Sequence, residues 1–462
     1  MSEGRSTRGE GAAARPQRRL TLFDSTSLIV GIIIGVGIYE TSPLIASCVP
    51  SVGWLAAVWA AGGLVSLVGA LAYAELATAW PEEGGDYVYL TRAFGRRAGF
   101  LFAWAQFWVV RPGSIGAMAY VFARYANRLW PLGDGAAALM TYAAGPILVL
   151  TAINLLGVRS GKTTQNLLTV LKVLGLGAIV AVGMALGHGG GAGAGDGGGG
   201  GADLRLAFIL ILFTYGGWNE MAYVAAEVRR PRRNILRALV AGTVAVTAIY
   251  VLVNLAFVQG LGLEGVRTSK AAAADVLALG LGEGAARAMC VLVCVSALGA
   301  VNGQIFTGAR IYYAMGRDHR LYAPLGRWNA RLGTPAWSLA AQAAVTLALV
   351  AGFGFARSGF ESLVKFTTPV FWFFFLLVGV SLFVLRRREP ARPRPYRVPG
   401  YPWVPALFCA SSLFMLYASL SYAIENRTYE ALWAVGLMAV GVALSGVGRR
   451  SVPAGEGGGG RP

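Results

Sequence analysis

The chain has 462 residues, of which 56% are hydrophobic and only 13% are charged. Its apolar residues fall in blocks of about 20, the length that crosses a hydrocarbon core of about 30 Å. This pattern excludes a water-soluble domain and predicts an all-α polytopic membrane protein. The formal net charge of +18 is the excess of basic residues expected in the cytoplasmic loops of such a protein. It therefore does not predict nucleic acid as a partner.

Residues 1–21 are polar and rich in Gly and Arg, and they predict a disordered tail, as do residues 449–462. Most of the 40 Lys and Arg residues lie on one side of the predicted topology, which places both termini in the cytoplasm of a multi-pass cell membrane protein. Between the tails, the apolar blocks predict twelve transmembrane helices, near residues 27–48, 53–79, 98–127, 136–157, 164–187, 204–226, 237–260, 285–315, 336–354, 360–385, 402–423 and 429–448.

Two of these spans contain a glycine break near their middle. The first break is Gly35-Val36-Gly37 in LIVGIIIGVGIYETSPLIASC, and the second is Gly216-Gly217 in LAFILILFTYGGWNEMAYVAA. Glycine costs about 1 kcal/mol relative to alanine in a helix interior. A lone GxG motif is more typical of close helix packing, but unpaired backbone groups in a bilayer are tolerated where they line a cavity. The pair of breaks therefore predicts a transporter with its site at the breaks.

The Gly-rich residues 188–203 follow the fifth span and predict a flexible extracellular linker. If this linker joins two units of five spans, then residues 22–187 and 204–388 form two repeats, and each repeat begins with a broken helix. An odd number of spans inverts the second repeat relative to the first, which is the arrangement of alternating-access transporters. Helices eleven and twelve, residues 389–448, then lie outside the repeat.

The half-helix ends at a break carry partial charges of opposite sign. Amides from residues 36 to 39 would attract a carboxylate, whereas carbonyl groups that end the first half-helices would attract an ammonium group. One site that offers both is complementary to an amino acid zwitterion. The carbonyl groups in question belong to Ile33, Ile34, Phe213 and Thr214.

The sequence also resembles a known family. GIIIGVGIYETSP is similar to the first-helix signature of the amino acid–polyamine–organocation superfamily, and FTYGGWNEMAYVAAEVRRPRRNI is similar to the sixth-helix pattern of its L-type amino acid transporter branch. VVRPGSIGAMAYVFARY and ALGAVNGQIFTGARIYYAMGRD resemble motifs in the third and eighth helices of that branch. The resemblance implies the five-plus-five inverted repeat fold with broken helices 1 and 6, and amino acid transport by alternating access.

The resemblance also implies roles for individual residues. The first break would bind the substrate carboxylate, Phe213 would act as an outer gate, and Ser114 matches a polar position near the side-chain pocket. Val36 stands where relatives often have Ser, so the side-chain selectivity is left open. The complete predicted substrate-binding set is Ile33, Ile34, Gly35, Val36, Gly37, Ser114, Phe213, Gly216 and Trp218.

Charged residues inside the spans are candidates for coupling. Lys172 lies about eight residues from the nearer end of its span, and the resemblance places it beside the first break, where sodium-coupled relatives hold an ion. It predicts sodium-independent transport, with Lys172 as a surrogate cation or a proton-linked switch. Glu40 either faces the pathway, where it would carry a proton or favour cationic substrates, or is a solvated helix end. Arg111, which precedes Pro112, is predicted to pair with an acid or with free carbonyl groups.

The sequence thus predicts a secondary transporter of amino acids, working by exchange or proton symport, and not an enzyme. One alternative is a non-transporting amino acid sensor with the same fold. Another is a membrane-embedded transferase, for which Glu82, Glu83 and Asp86 form the nearest acidic cluster but lack a histidine.

The predicted partners are the amino acid substrate, protons as a candidate co-substrate, and membrane lipids. No metal site and no cofactor are predicted, because both histidines, His188 and His319, fall in loops. Cys48 is the cysteine nearest the outer side and lies within a span, so no disulfide-linked subunit is expected.

Overall fold

The computed structural model describes residues 16–133, 135–186, 203–354, 359–425 and 429–446. The regular elements in these ranges are helices, and the β structure in them consists of two isolated β-bridges. The predicted C-terminal tail lies outside the described residues. So do the first fifteen residues of the predicted N-terminal tail and all of the predicted Gly-rich linker except its last residue.

The described ranges contain α-helices that follow one another with short connections. In chain order they are α1 Leu22–Ile33, α2 Gly37–Ser47, α3 Val52–Ala79, α4 Asp86–Phe94, α5 Arg96–Ala105, α6 Arg111–Leu129, α7 Ala136–Leu155, α8 Val158–Leu186, α9 Leu204–Thr214, α10 Pro231–Thr268, α11 Ala272–Leu281, α12 Ala285–Asp318, α13 Ala336–Gly354, α14 Gly359–Arg388, α15 Trp403–Glu425 and α16 Tyr429–Leu444.

Each of the twelve predicted spans coincides with one of these helices or with an interrupted pair. By length and mean hydropathy, eight helical stretches can cross a membrane, and α1 with α2 forms a ninth that is bent by 51°. The stretch formed by α11 and α12 counts as one of the eight, and α16 is apolar but shorter. These findings confirm the prediction of an all-α polytopic membrane protein whose first span is broken.

The N-terminal end of α1 is fixed by local hydrogen bonds. The Thr21 hydroxyl accepts from the Asp24 amide while the Asp24 carboxylate accepts from the Thr21 amide, which is a capping box. Just before it, the Leu20 amide donates to the Glu227 carbonyl at 2.9 Å and the Leu20 carbonyl accepts from Arg229 at 2.8 Å. The predicted disordered tail is therefore too long, because Leu20 and Thr21 belong to the ordered fold.

Two of the predicted spans differ from simple α-helices. The third contains a π-helical segment, Gln106–Val110, between α5 and α6. Pro112, in the next turn, has no amide hydrogen to donate to the preceding turn, which favours this local widening. The sixth continues after its break as a 3-10 helix, Trp218–Glu227, instead of an α-helix. This segment is long for a 3-10 helix.

The short helices α4 and α11 were not predicted. They have nine and ten residues, too few to form an apolar block of membrane-spanning length. Helix α10 ends at Thr268, beyond the predicted end of the seventh span at residue 260. Gly262, whose backbone is left-handed (φ 72°), makes a kink between the two parts of this helix.

Glycines let the helices around the breaks approach closely. A Cβ atom on Gly62 of α3 would lie 2.0 Å from Ile211 of α9, and one on Gly63 would lie 2.2 Å from Thr247 of α10. Small residues at such crossings are typical of helix packing in membranes. They hold α3, α9 and α10 together around the region where the two broken spans meet.

Candidate functional site

The two glycine breaks lie against each other. Gly217 has a left-handed backbone (φ 118°), and a Cβ atom there would lie 2.8 Å from the Ile32 side chain and 3.4 Å from the Ile33 nitrogen. A Cβ atom on Gly37 would lie 3.1 Å from the Thr214 methyl group. The structure therefore brings residues of the first and the second break into one place, as expected if they form a single site.

A tyrosine that the sequence did not single out connects both breaks. The Tyr250 hydroxyl lies 2.9 Å from the Ile33 carbonyl oxygen and 3.4 Å from the Thr214 carbonyl oxygen. Its ring is buried and contacts the rings of Trp59 and Tyr215 edge-on. The sequence does contain one signal for this role. A tyrosine in an apolar span predicts a hydrogen-bond partner, because a buried hydroxyl group usually has one.

The start of α2 presents free backbone amides. Val36 is the N-cap and its side chain makes no capping hydrogen bond. No hydrogen bond of the described residues uses the amides of Val36, Gly37 and Ile38. A Cβ atom on Gly35 would meet nothing closer than the Ile33 carbonyl oxygen at 4.0 Å, so there is open space beside this residue. Free amides at a positive helix end bind anions such as a carboxylate.

Lys172 of α8 is fully buried and reaches the other side of the first break. Its ammonium group donates to the carbonyl oxygens of Gly31 at 2.7 Å, Ile34 at 2.8 Å and Ser296 at 3.1 Å. Within the described residues it has no carboxylate at ion-pair distance. The charge is compensated by three carbonyl dipoles, including two from the negative end of α1. Lys172 thus faces the interior, as predicted.

The Ser296 hydroxyl of α12 also binds the first break. It donates to the Ile34 carbonyl at 3.1 Å and to the Gly35 carbonyl at 2.9 Å. Together with Lys172 and Tyr250, it satisfies the carbonyl groups that the end of α1 leaves without helical donors. Sequence reasoning missed Ser296 because a serine inside a membrane helix commonly bonds to its own backbone and gives no distinct signal.

The other predicted substrate-binding residues have different surroundings. Phe213 is 42% exposed and its carbonyl accepts from the Gly216 amide at 3.2 Å. The Trp218 ring is buried among aromatic rings of α3, α14 and α15, so only its backbone belongs to the break. Ser114 is half-buried on α6, and no hydrogen bond of the described residues joins it to either break.

Glu40 lies on the first turn of α2 and faces Arg124 of α6. The Arg124 guanidinium is 3.4 Å from the Glu40 carboxylate, and both side chains are more than one third exposed. Of the two interpretations of Glu40, this arrangement favours the solvated helix end.

At the opposite end of the bundle, the 3-10 helix is held by two buried ion pairs. Glu227 accepts from Arg310 at 2.7 Å, with both side chains 1% exposed. Glu220 lies 2.7 Å from Arg111, which confirms the prediction that Arg111 pairs with an acid. We call this region, where α4, the 3-10 helix and the N-terminus of α1 meet, the α4 end.

Asp86 is buried in the α4 end, at the start of a helix that is not one of the membrane spans. One carboxylate oxygen accepts from the Tyr73 hydroxyl at 3.1 Å and from the Tyr223 hydroxyl at 2.8 Å. Burial raises the pKa of Asp86 to about 7, although these hydrogen bonds lower it. Gly85 packs directly against the Ala222 backbone, so α4 and the 3-10 helix have no gap between them.

In this membrane protein the two helix breaks contact each other. Free amides of α2 lie on one side of the first break, and the Lys172 ammonium group lies on the other. Comparison with known proteins adds a family model for amino acid permeases, which matches residues 20–444. The chain belongs to this amino acid permease family. The permease is accordingly a transport protein and not an enzyme, which excludes the membrane-embedded transferase.

Similar proteins include transporters from animals and bacteria. The permease is 31% identical to the human b(0,+)-type amino acid transporter 1, over 91% of its own length and 85% of the relative. It is 31% identical to large neutral amino acids transporter small subunit 2 of mouse, over 90% and 79% of the two chains. It is 28% identical to the serine/threonine exchanger SteT of Bacillus subtilis, over 87% and 91%.

Proposed function

We propose that the permease exchanges amino acids across the cell membrane by alternating access and without sodium. The observation that carries this proposal is the pair of touching breaks, with free amides of α2 on one side and the Lys172 ammonium group on the other. The family indicates that the substrates are amino acids. The arrangement of charges at the breaks suggests how the substrate is bound and why sodium is not needed.

In this proposal the substrate carboxylate binds the amides of Val36, Gly37 and Ile38. The Gly35 position leaves the space that a carboxylate needs to approach the helix end. The substrate ammonium group binds the carbonyl groups of Phe213 and Thr214. The carbonyl groups of Ile33 and Ile34 each accept two hydrogen bonds already, whereas those of Phe213 and Thr214 each accept one. A contact made only with the substrate backbone would accept amino acids of several kinds.

Lys172 takes the place of a coupling cation. The carbonyl oxygens of Gly31, Ile34 and Ser296 would otherwise be a suitable set of ligands for a hard cation. An ammonium group at 2.7 to 3.1 Å from all three excludes a sodium ion from the same volume. The positive charge then stays fixed through the transport cycle, and no sodium gradient drives it.

Alternating access follows from the difference between the two ends of the bundle. The α4 end is closed by buried ion pairs, whereas Phe213 at the other side of the break is exposed. We assign the α4 end to the cytoplasm, because both termini carry excess basic residues. The breaks would then act as hinges between the two five-helix repeats.

Exchange is favoured over proton symport by two observations. One bacterial relative is named a serine/threonine exchanger. Glu40, the predicted proton carrier, is more than one third exposed and its carboxylate lies 3.4 Å from the Arg124 guanidinium, so it is not enclosed in a pathway. Neither observation favours a proton that crosses the membrane with the substrate.

Counterflow in proteoliposomes tests this proposal. Vesicles that contain the purified permease are loaded with an excess of unlabelled neutral amino acid, diluted, and given a trace of the labelled compound outside. We expect transient accumulation of label that protein-free vesicles do not show. Binding of the labelled amino acid without any accumulation would instead identify a sensor with the same fold and would overturn the proposal.

A further inference from the structure

A recess at the α4 end is lined by arginines from two separate parts of the chain. It has a volume of about 440 Å³ and is formed by Arg18, which precedes α1, by Pro81, which follows α3, and by the first residues of α10. The α10 residues at its wall are Arg230, Pro231, Arg232 and Arg233. Four arginines therefore line one concave surface.

None of these four guanidinium groups has an acidic partner. Across the described ranges, no carboxylate lies within ion-pair distance of any of them. The acidic residues next to Pro81 do not line the recess, and Glu82 instead lies 3.1 Å from Arg92. Four neighbouring positive charges repel each other, and an anion that binds between them offsets this repulsion. The described residues supply no carboxylate for this role.

The backbone at this corner is unusual as well. Arg230 has φ 50° and ψ 59°, the one left-handed residue other than glycine among the described residues. No side chain caps the start of α10 there. A non-glycine residue in this conformation costs roughly 1 kcal/mol or more. It turns the chain so that Arg230 and the first turn of α10 face the same recess.

We propose that this recess binds a phosphate-bearing anion, either the headgroup of an anionic phospholipid or a soluble phosphate compound. Guanidinium groups form two-pronged hydrogen bonds with phosphate oxygens, and four of them can surround one phosphate group. The volume is within the range of sites for small ligands.

The position of the recess links the anion to the closed state of the α4 end. The Arg229 amide donates to the Leu20 carbonyl across the α4 end. Two residues of the recess are close to this hydrogen bond in sequence: Arg18 lies two residues before Leu20, and Arg230 directly follows Arg229. An anion that bridges Arg18 and Arg230 would hold the N-terminus of α1 against the segment after the 3-10 helix. Its binding would stabilise the closed arrangement. The binding itself does not depend on the proposed exchange of amino acids.

The test uses the full-length permease in nanodiscs. The variant carries Arg230→Gln, Arg232→Gln and Arg233→Gln together, and the control is Arg387→Gln, which removes an exposed basic residue at the end of α14 that is not part of the recess. Native mass spectrometry counts retained phosphatidylglycerol against phosphatidylcholine. A second arm measures the unfolding temperature in pure phosphatidylcholine with and without inorganic phosphate.

If a lipid headgroup is the ligand, the wild type and Arg387→Gln retain phosphatidylglycerol, and the triple variant binds it at least about tenfold more weakly. If the ligand is soluble, phosphate raises the unfolding temperature of the wild type and not of the triple variant. Equal retention and equal unfolding temperatures in all three proteins would overturn the proposal, as would an equal loss in Arg387→Gln. Should the triple variant fail to fold, Arg18→Gln, outside any helix, replaces it in both arms.

Discussion

The hydroxyl group of Tyr250 donates to the carbonyl oxygen of Ile33 at 2.9 Å, so a side chain of α10 fixes the end of the first half-helix. The same hydroxyl group lies 3.4 Å from the Thr214 carbonyl, at the second break. One oxygen atom thus contacts both breaks. The geometry of the site depends on this contact, because neither half-helix end can move without changing its distance to Tyr250.

Tyr250→Phe should therefore slow amino acid exchange about tenfold while the protein stays folded. The substitution keeps the ring contacts with Trp59 and Tyr215 and removes only the hydroxyl group. Loss of a buried hydrogen-bond donor costs about 1 to 3 kcal/mol, equivalent to a factor of about 5 to 150. Counterflow rates measure the effect, with Tyr417→Phe, at an exposed position, as the control. Exchange at the wild-type rate would show that Tyr250 does not position the breaks.

Gly35→Ala tests the open space at the start of α2. A methyl group there meets no atom closer than 4.0 Å, so we expect an almost unchanged unfolding temperature. It occupies the space assigned to the substrate carboxylate, so KM for exchange should rise at least about tenfold. Gly177→Ala, whose methyl group also meets nothing within 4 Å, is the matched control. An unchanged KM in Gly35→Ala would place the carboxylate elsewhere.

Glu40→Gln should change neither the pH profile of exchange nor its rate by more than about twofold. Glu40 and Arg124 form an exposed ion pair at 3.4 Å, and such pairs contribute about 0 to 1 kcal/mol. The measurement is counterflow of a labelled neutral amino acid between pH 5 and pH 8. A pH profile that flattens in the variant would mean that Glu40 carries a proton after all.

Asp86 should make closure of the α4 end depend on pH. When the end is closed, burial raises the pKa of Asp86 to about 7 from its ordinary value of 3.8. In an open state the exposed Asp86 side chain ionises near its ordinary pKa of 3.8, whereas in the closed state the buried side chain keeps its proton up to about pH 7. The closed state is therefore favoured at low pH and loses stability as pH rises between these values, by at most tenfold per pH unit. Above pH 7 the effect is constant.

Amide hydrogen exchange over residues 218–227 measures this closure. Asp86→Asn mimics the protonated side chain, and comparing it with the wild type at each pH cancels the intrinsic pH dependence of exchange. The charged groups nearest Asp86, Glu220 and Arg111, stay paired in both proteins. We expect equal protection near pH 4 and greater protection of the variant at pH 7. Glu82→Gln is the control. A constant ratio across this range would contradict the assignment.

Much of this site could be predicted because its features are local in sequence. Glycines in the middle of an apolar span, one lysine far from any span end, and an arginine before a proline each violate a rule for membrane helices. The structure shows Lys172 bound to carbonyl groups and Arg111 paired with Glu220. In each case a buried charge required a partner, although the sequence did not identify which partner it would be.

The unpredicted features depend on contacts between distant parts of the chain. Tyr250 reaches Ile33 across more than 200 residues, and Arg310 reaches Glu227 from another helix. A single tyrosine or arginine gives no sequence signal for its partner. The 3-10 helix after the second break was missed for a similar reason, because Trp218–Glu227 has no local pattern that distinguishes it from an α-helix. The contacts of this segment come from distant parts of the chain: Gly85 packs against Ala222, and two ion pairs join it to α6 and α12.

The most direct test of the account is exchange in the presence and absence of sodium. Proteoliposomes that contain the permease and an excess of unlabelled neutral amino acid are diluted into sodium chloride or into choline chloride at equal ionic strength. Because the Lys172 ammonium group fills the carbonyl cage beside the first break, we predict equal initial rates of label uptake in the two salts. Uptake that sodium stimulates severalfold would contradict the account.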